Sequence, residues 1–510
     1  MSKEKQTNIC ISLCESNLNS LAQAVESSAE NADLVELRLD CLDNILENIQ
    51  GIHKLIKTTR QPLLLTYRPV EQGGKAAVTI EERLAFWSRN TFRNCLVDLE
   101  LDLVRSLLLN ECDNFLDWSK VVCSHHDFTG LPANLQEIYE EMSHTPARIL
   151  KIAYHADDAT DCLATFAMLK RAKEAGRELI AIAMGNAGFA TRVVGSARGS
   201  FLTYAASESG KQTAPGQITA AELRSIYRID TITNETLICG LVGSPAMHSV
   251  SPHIHNAAFA AAKIDGVYIP FEVKDVKQFF RQMVHPLTRQ IDWNIRGLSV
   301  TAPHKLSVID CLDRMDPQAE EIGAVNTVVV EGEQLIGYNT DAVGFLIPLQ
   351  REFPELRGLH VAVIGAGGAA SAASWALVRK GADVTIFARD IKKASILGKR
   401  INVKCEPLDR SRYAGYDVVI NATPLGTSGK RENESPVDAD QLLDAHLAYD
   451  LVYNPIETEF LRKARFAGCK TLSGVAMLSA QARLQFQLWT GESVPEALME
   501  DAASKALTSL

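Results

Sequence analysis

The stretch from Thr213 to Asn256, TAPGQITAAELRSIYRIDTITNETLICGLVGSPAMHSVSPHIHN, decides how this 510-residue chain is divided. Its first part, Ala214-Pro215-Gly216-Gln217, reads as the closing loop of one unit. Its last part reads as the opening loop of another: Gly243-Ser244-Pro245, then His248-Ser249-Val250-Ser251-Pro252, then His255-Asn256. Roughly twenty residues of helix and turn lie between the two, the length of a short inter-domain connection. Two complete units are therefore expected, one on each side of this seam.

Length supports the division, because a single hydrophobic core rarely serves so many residues. Hydrophobic residues make up 46% and charged residues 22%, proportions ordinary for a globular protein that folds in water. A net charge of -10 without a basic stripe argues against nucleic acid as the main partner. No apolar run approaches the ~20 residues of a membrane span. The start, MSKEKQTNICISL, passes directly from polar residues into a strand-like run, so neither a signal nor a transit peptide is expected. Eleven cysteines without CxxC pairs suit reduced thiols in a cytoplasm better than disulfides or a metal site.

Upstream of the seam, β-rich runs recur at Asn8–Cys14, Asp33–Leu39, Pro62–Tyr67, Asn94–Leu99, Lys120–Ser124, Arg148–Ala153, Glu178–Met184 and Ser200–Ala205. Helix-like segments separate them. Eight such repeats in about 220 residues predict a closed (β/α)8 barrel, with an open doubly wound sheet as the alternative. A barrel enzyme keeps its chemistry at the C-terminal ends of its strands. There Glu36, Arg38 and Asp40 alternate with Leu37 and Leu39 and so share one face. Arg68, His125 and His126 also end strands, and Lys151 sits within Ile149-Leu150-Lys151-Ile152-Ala153. Desolvation in so apolar a run favours a neutral, nucleophilic amine. The alternative for Lys151 is an ammonium that snorkels to the surface.

These residues carry a resemblance. Glu36-Leu-Arg38-Leu-Asp40, Thr66-Tyr-Arg68 with Gly73-Gly74, Ser124-His-His126-Asp-Phe, Lys151-Ile-Ala, Thr191-Arg192-Val and Ala214-Pro-Gly-Gln217 resemble type I 3-dehydroquinate dehydratase, in order and over nearly the whole segment. The resemblance implies that Lys151 forms an imine with the substrate ketone and that His126 is the general acid/base. It also implies that Arg192 grips a carboxylate as a bidentate fork. Glu36, Arg38, Arg68, Thr213, Gln217 and Ser12 would bind the remainder of the ring. Two positions depart from the family: Gln72 stands where a glutamate is common, and Thr213 where serine is common.

Downstream, Leu237–Val242 feeds the Ser249/Ser251 loop, in which Ser251 is either a polyol contact or a helix cap. Leu298-Ser-Val-Thr301-Ala-Pro-His-Lys305, Gly323-Ala-Val-Asn326-Thr and Gly337-Tyr-Asn-Thr340-Asp341-Ala-Val-Gly344 each place polar residues after an apolar run. A strand then enters Gly365-Ala366-Gly367-Gly368-Ala369-Ala370 and a helix follows, with a second strand at Asp383–Ala388. That order predicts a dinucleotide site, because such glycines let a pyrophosphate approach a helix N-terminus.

Together with Asn421-Ala-Thr423-Pro-Leu-Gly426, Asp450-Leu-Val452-Tyr453-Asn-Pro and Gly474…Met477…Gln481, these motifs resemble shikimate dehydrogenase from end to end. The resemblance implies Lys305 and Asp341 as the catalytic pair, for which a structural salt bridge is the alternative. It implies Ser249, Ser251, Thr301, Asn326, Tyr453 and Gln481 as substrate contacts. Gly365, Ala366, Gly367, Gly368, Ala369, Arg389, Lys393, Thr423, Val452, Gly474 and Met477 would hold the cofactor. Ser299 departs from the asparagine of bacterial relatives. Arg389, with Lys392 and Lys393 following, predicts NADP rather than NAD, since guanidinium pairs well with a 2′-phosphate. Asp390 would either repel that phosphate or cap the next helix.

The expected protein is thus an α/β enzyme: a (β/α)8 barrel at 1–225, a substrate lobe at 235–342, a Rossmann-like NADP lobe at 343–475, and C-terminal helices at 476–510 that return to the substrate lobe. It would dehydrate 3-dehydroquinate and reduce the resulting 3-dehydroshikimate, in the cytoplasm and without metal, nucleic acid or membrane. Alternatives are a dehydrogenase acting mainly on quinate and a non-catalytic ligand sensor. The presence of Lys151, His126, Lys305 and Asp341 favours catalysis.

Overall fold

Eight short aliphatic runs upstream of the seam become eight parallel strands in the computed structural model, which describes residues 7–92, 94–408 and 413–508. They are β1 (Ile9–Leu13), β2 (Leu34–Arg38), β3 (Leu63–Thr66), β4 (Leu96–Glu100), β5 (Val121–Asp127), β6 (Ile149–His155), β7 (Glu178–Met184) and β8 (Thr203–Ala205). Their order is β7-β6-β5-β4-β3-β2-β1-β8. Each strand pairs with its sequence neighbour, and β8 pairs back onto β1. The last seam, between β7 and β8, is narrow. It consists of an isolated Leu179–Ser200 bridge and a Phe201 N–H donated to the Leu179 carbonyl at 2.9 Å. The barrel is therefore nearly closed, and its eighth strand is shorter than the run Ser200–Ala205 predicts.

The cysteine expectation needs correction. Nine cysteines are free, but Cys14 and Cys41 form a disulfide, with Cα atoms 5.3 Å apart. The cause is register: Leu13 lies opposite Leu37 in the β1–β2 pair, so residues just beyond the two strand ends come together. Spacing in the sequence does not reveal that meeting.

The second half builds two sheets. The first holds β9 (Leu237–Gly243), β10 (Gly266–Glu272), β11 (Ile295–Val300), β12 (Arg314–Met315), β13 (Thr327–Glu331) and β14 (Gln334–Tyr338), ordered β10-β9-β11-β13-β14-β12. It is mixed, since β9 and β11 are parallel while β13 runs antiparallel to both β11 and β14. The second holds β15 (His360–Ile364), β16 (Asp383–Ala388), β17 (Lys404–Pro407), β18 (Val418–Asn421), β19 (Leu447–Asp450) and β20 (Lys470–Leu472). Its order, β17-β16-β15-β18-β19-β20, is that of a doubly wound dinucleotide fold, in which ligands sit where the order reverses, beside β15.

The helices Gly474–Thr490 and Glu496–Thr508 bury Phe486, Trp489 and Met499 in one core with Cys239, Leu241 and Phe259. The chain falls into two compact units. One runs to Thr236 and adds Ile269–Met283 and Arg289–Asn294; the other takes Leu237–Tyr268, Val284–Thr288 and the chain from Ile295 onward. Among the described residues, no helix is long and apolar enough to cross a membrane.

Candidate functional site

Strand alternation delivers the barrel's polar residues to one interior cavity. Glu36, Arg38, Arg68, His126, Lys151 and Arg192 line it, with Thr213 and Gln217 at its edge. Lys151 is 4% exposed. The apolar run around this amine predicts few polar neighbours, yet its direct contacts are two carboxylates: Asp98 at 2.9 Å and Glu36 at 3.5 Å. A buried ammonium requires such partners, because desolvation of an isolated charge costs several kcal/mol.

Asp98 is the hub of this network, and the sequence reading missed it. It also accepts from Arg68 at 2.8 Å and from the Ser124 hydroxyl. Burial opposes its ionisation, but Arg68 and Lys151 overcome that and hold its carboxyl far below the usual range. Glu36 is likewise disfavoured by burial and then held below its ordinary range by Lys151, Arg68 and Arg38. Ser12 donates to Glu36, and Thr66 does so at 2.8 Å. Arg68 reaches Glu100 at 3.4 Å as well, and burial pushes that carboxyl up to about 7. Arg38 is held by Asp40 through two bonds of 2.8 and 2.7 Å.

Of the two adjacent histidines, His126 lines the cavity and His125 does not, as a strand period of two requires. Both ring nitrogens of His126 are buried without a hydrogen-bond partner among the described residues. Burial, then Arg68 and Lys151, push its pKa well below the ordinary histidine value, so the ring is a neutral base. Gln72 accepts the His126 backbone N–H at 2.9 Å, a task that needs no carboxylate. Arg192 is 1% exposed and, among the described residues, donates only to the carbonyls of Tyr204 (3.3 Å) and Pro215 (2.9 Å). Its Nε has no partner among the described residues, and burial lowers its pKa to about 10. Such a guanidinium is fitted to a small anion. Gln217 accepts from Thr213, through its backbone N–H at 2.9 Å and its hydroxyl at 3.3 Å.

The mixed sheet gathers a second set. Lys305 is ion-paired with Asp341, the first residue of the helix Asp341–Glu352, where the helix dipole favours a carboxylate. The Asn326 amide donates to Asp341 at 2.7 Å and to Thr340 at 3.0 Å, and lies 3.5 Å from the Gln481 side-chain oxygen. Ser249 donates to Ser251 at 3.0 Å, and Tyr453 is hydrogen-bonded with Ser249. Ser251 begins the helix Ser251–Ala262, with Val250 in the cap position. Thr301 lies against Gly243: a methyl there would sit 2.3 Å from its Cγ2, so glycine sets that approach. Ser299 accepts from the Tyr268 hydroxyl at 2.7 Å and donates to Gln485 at 2.8 Å.

The parallel sheet forms the nucleotide turn. Gly365 has φ +126°, and a Cβ would meet the Ala422 carbonyl oxygen at 2.8 Å, whereas Gly367 opens onto free space. Gly365, Ala366, Gly367, Arg389, Lys393 and Thr423 line one cavity, and Gly368 and Ala369 begin the helix behind it. Val452 and Gly474 meet backbone to backbone, and Met477 is packed in the sheet's core; none of the three lines this cavity. Asp390 caps the helix Ile391–Ile401 by accepting the Lys393 N–H at 3.1 Å, which leaves Arg389 as the cation at the strand end. A methyl on Gly368 would lie 3.3 Å from the Lys305 Cδ, so the turn adjoins the Lys305–Asp341 pair. An open glycine turn, a helix N-terminus and Arg389 together fit a phosphorylated dinucleotide. Among the described residues, no three His, Cys, Asp or Glu side chains are grouped to hold a metal ion.

Comparison with known families agrees with both halves. Residues 9–234 match type I 3-dehydroquinase, and 241–328 match the shikimate dehydrogenase substrate binding domain. Residues 349–432 match shikimate / quinate 5-dehydrogenase, and 474–503 match the shikimate 5'-dehydrogenase C-terminal domain. A shikimate dehydrogenase (NADP+) of Carboxydothermus hydrogenoformans is 40% identical over 53% of this chain and 98% of its own length. A shikimate dehydrogenase solved in complex with NADP+ is 35% identical, with a TM-score of 0.50 over 53% of this chain and 96% of that one. A bifunctional 3-dehydroquinate dehydratase/shikimate dehydrogenase of Arabidopsis thaliana, described as chloroplastic, is 31% identical over 98% of this chain and 84% of the relative. The chain belongs to the bifunctional 3-dehydroquinate dehydratase/shikimate dehydrogenase family.

Proposed function

We propose that Lys151 and His126 carry the dehydration, and that Lys305 and Asp341 carry the reduction, of a bifunctional enzyme that turns 3-dehydroquinate into 3-dehydroshikimate and then, with NADPH, into shikimate. The observation that carries the first assignment is the burial of Lys151 beside His126 in one cavity with Arg192.

The Lys151 amine attacks the substrate ketone and, with loss of water, forms an imine. The protonated imine draws electron density from the adjacent carbon, and neutral His126 removes the proton there. The electron pair left behind expels the neighbouring hydroxyl, to which His126 returns a proton, so water departs and a carbon–carbon double bond forms. Hydrolysis of the imine frees Lys151. Arg192 holds the substrate carboxylate, while Ser12, Glu36, Arg38, Arg68, Thr213 and Gln217 hold the ring and its hydroxyls.

In the second half, Ser249, Ser251, Thr301, Asn326, Tyr453 and Gln481 orient the 3-dehydroshikimate ring. Lys305 stands to donate a proton to the oxygen of the carbonyl being reduced, and Asp341, fixed by Asn326, aims the ammonium. NADPH, when bound, supplies the hydride. Gly365, Ala366, Gly367, Gly368, Ala369 and Thr423 would hold its pyrophosphate side, and Arg389 with Lys393 its 2′-phosphate. Val452, Gly474 and Met477 would border the nicotinamide.

We assign the dehydratase to 1–225, the substrate lobe to 235–342, the NADP lobe to 343–475 and the closing helices to 476–510. We place the enzyme in the cytoplasm, a setting that its nine free cysteines favour and its single Cys14–Cys41 disulfide does not, with small metabolites rather than nucleic acid or membrane as partners. Full-length protein given 3-dehydroquinate alone should accumulate the conjugated enone, and adding NADPH should convert it to shikimate. Failure of the enone to appear would refute the dehydratase assignment. An enone that NADPH leaves unchanged would refute the reductase assignment.

A further inference from the structure

Tyr204 is a large polar side chain in the barrel cavity that no role above employs. It lies on β8 opposite Cys10 of β1, and its side chain faces inward among Ala153, Ile180, Ile182 and Met184. One contact and one missing contact set it apart from these aliphatic neighbours. Its ring lies under the Lys151 ammonium, with Nζ 4.5 Å from the ring centroid. Its hydroxyl is buried and has no hydrogen-bond partner among the described residues, although the whole residue is only 5% exposed.

A buried hydroxyl without a partner is disfavoured, and where the ring only fills space phenylalanine avoids that cost altogether. The surroundings also fix its role as a donor. Burial first, then Glu36 and Asp98, keep the phenol protonated well beyond its ordinary range. The residue lines the same cavity as Lys151, His126 and Arg192, so it borders the place where the ring substrate must sit.

We infer that Tyr204 is a further substrate-contacting residue of the dehydratase, its hydroxyl donating to an acceptor oxygen of the bound ring acid while its ring holds the Lys151 amine. The cation–π contact keeps Nζ over one face of the cavity, and the hydroxyl fixes the substrate on that face. The inference rests on the dehydratase reading of this cavity and goes beyond it, naming a specificity element that an aliphatic or phenylalanine side chain would not supply.

Tyr204→Phe and Tyr204→Leu in the full chain separate the two roles. Tyr204→Phe keeps the ring and should raise KM for 3-dehydroquinate roughly five- to tenfold, the worth of one buried hydrogen bond. The rate at which borohydride traps substrate on Lys151 at saturation should stay unchanged in that variant. Tyr204→Leu should show the same KM rise and, in addition, slower trapping. Unchanged KM and kcat in Tyr204→Phe would overturn the hydroxyl contact, and trapping as fast as in the unmutated protein in Tyr204→Leu would overturn the role of the ring. The unmutated protein is trapped in the same experiment. An adduct there alongside unaltered variants condemns the Tyr204 inference alone, whereas no adduct there condemns the dehydratase reading and the inference with it.

Discussion

Both halves of the chain set a lysine against a carboxylate, and they do so in opposite ways. In the barrel the Lys151 side chain is 5% exposed and meets two carboxylates, Asp98 and Glu36, each itself held by arginine or hydroxyl donors. In the dehydrogenase half the Lys305 side chain is 23% exposed and meets one carboxylate, Asp341, which a neutral amide steadies. The difference follows from the chemistry each lysine performs. An amine that must attack carbon benefits from being held at one point of a buried cavity, where its partners fix its position against the substrate. An ammonium that hands on a proton needs one orienting partner and a route to replenish what it gives.

If that contrast is correct, the largest loss belongs to the nucleophile. Lys151→Ala should lower dehydration by on the order of 10⁴-fold or more, read from the rate of enone formation, and leave shikimate oxidation intact. Lys305→Ala should cost about 10²–10⁴-fold in dehydrogenase kcat, with dehydration unaffected. Equal losses in both activities from either change would show that the halves do not act independently and would break the comparison.

How far this contrast was readable beforehand depends on whether one strand or several must be known. Glu36, Arg38 and Asp40 announce a functional face because they alternate within a single strand. Asp98 and Glu100 alternate in the same way at the end of β4, so the signal for the hub was present and was passed over. The Cys14–Cys41 bridge and the Tyr204–Lys151 contact depend on register between strands far apart in sequence, which no local pattern reports. In the second half, the glycine turn and Lys305/Asp341 stood out through their motifs. That Asp390 caps a helix rather than facing the phosphate emerged only from its bond to the Lys393 N–H.

Smaller effects sharpen the same picture. A charged hydrogen bond contributes about 1.5–3 kcal/mol, so Arg389→Ala should weaken NADPH use roughly tenfold or more and barely change NADH use. Similar losses with both cofactors would assign Arg389 to the fold instead. The slightest effect is one of pH. An unperturbed histidine base loses half its activity near pH ~6.5, but burial, Arg68 and Lys151 hold His126 neutral well below that. Protonation removes the base, so kcat/KM for dehydration should stay flat as pH falls through about 6 and decline only in more acid solution. An inflection near pH ~6.5 would mean that a group with an ordinary histidine pKa, and not the buried ring described here, sets the activity.

The central claim, that one chain holds a buried imine-forming lysine alongside a separate reductase site, is tested most directly by borohydride. Added together with 3-dehydroquinate, it should leave a reduced covalent adduct on Lys151 and abolish dehydration, while reduction of 3-dehydroshikimate with NADPH continues. An unmodified Lys151 with dehydration intact would contradict the account.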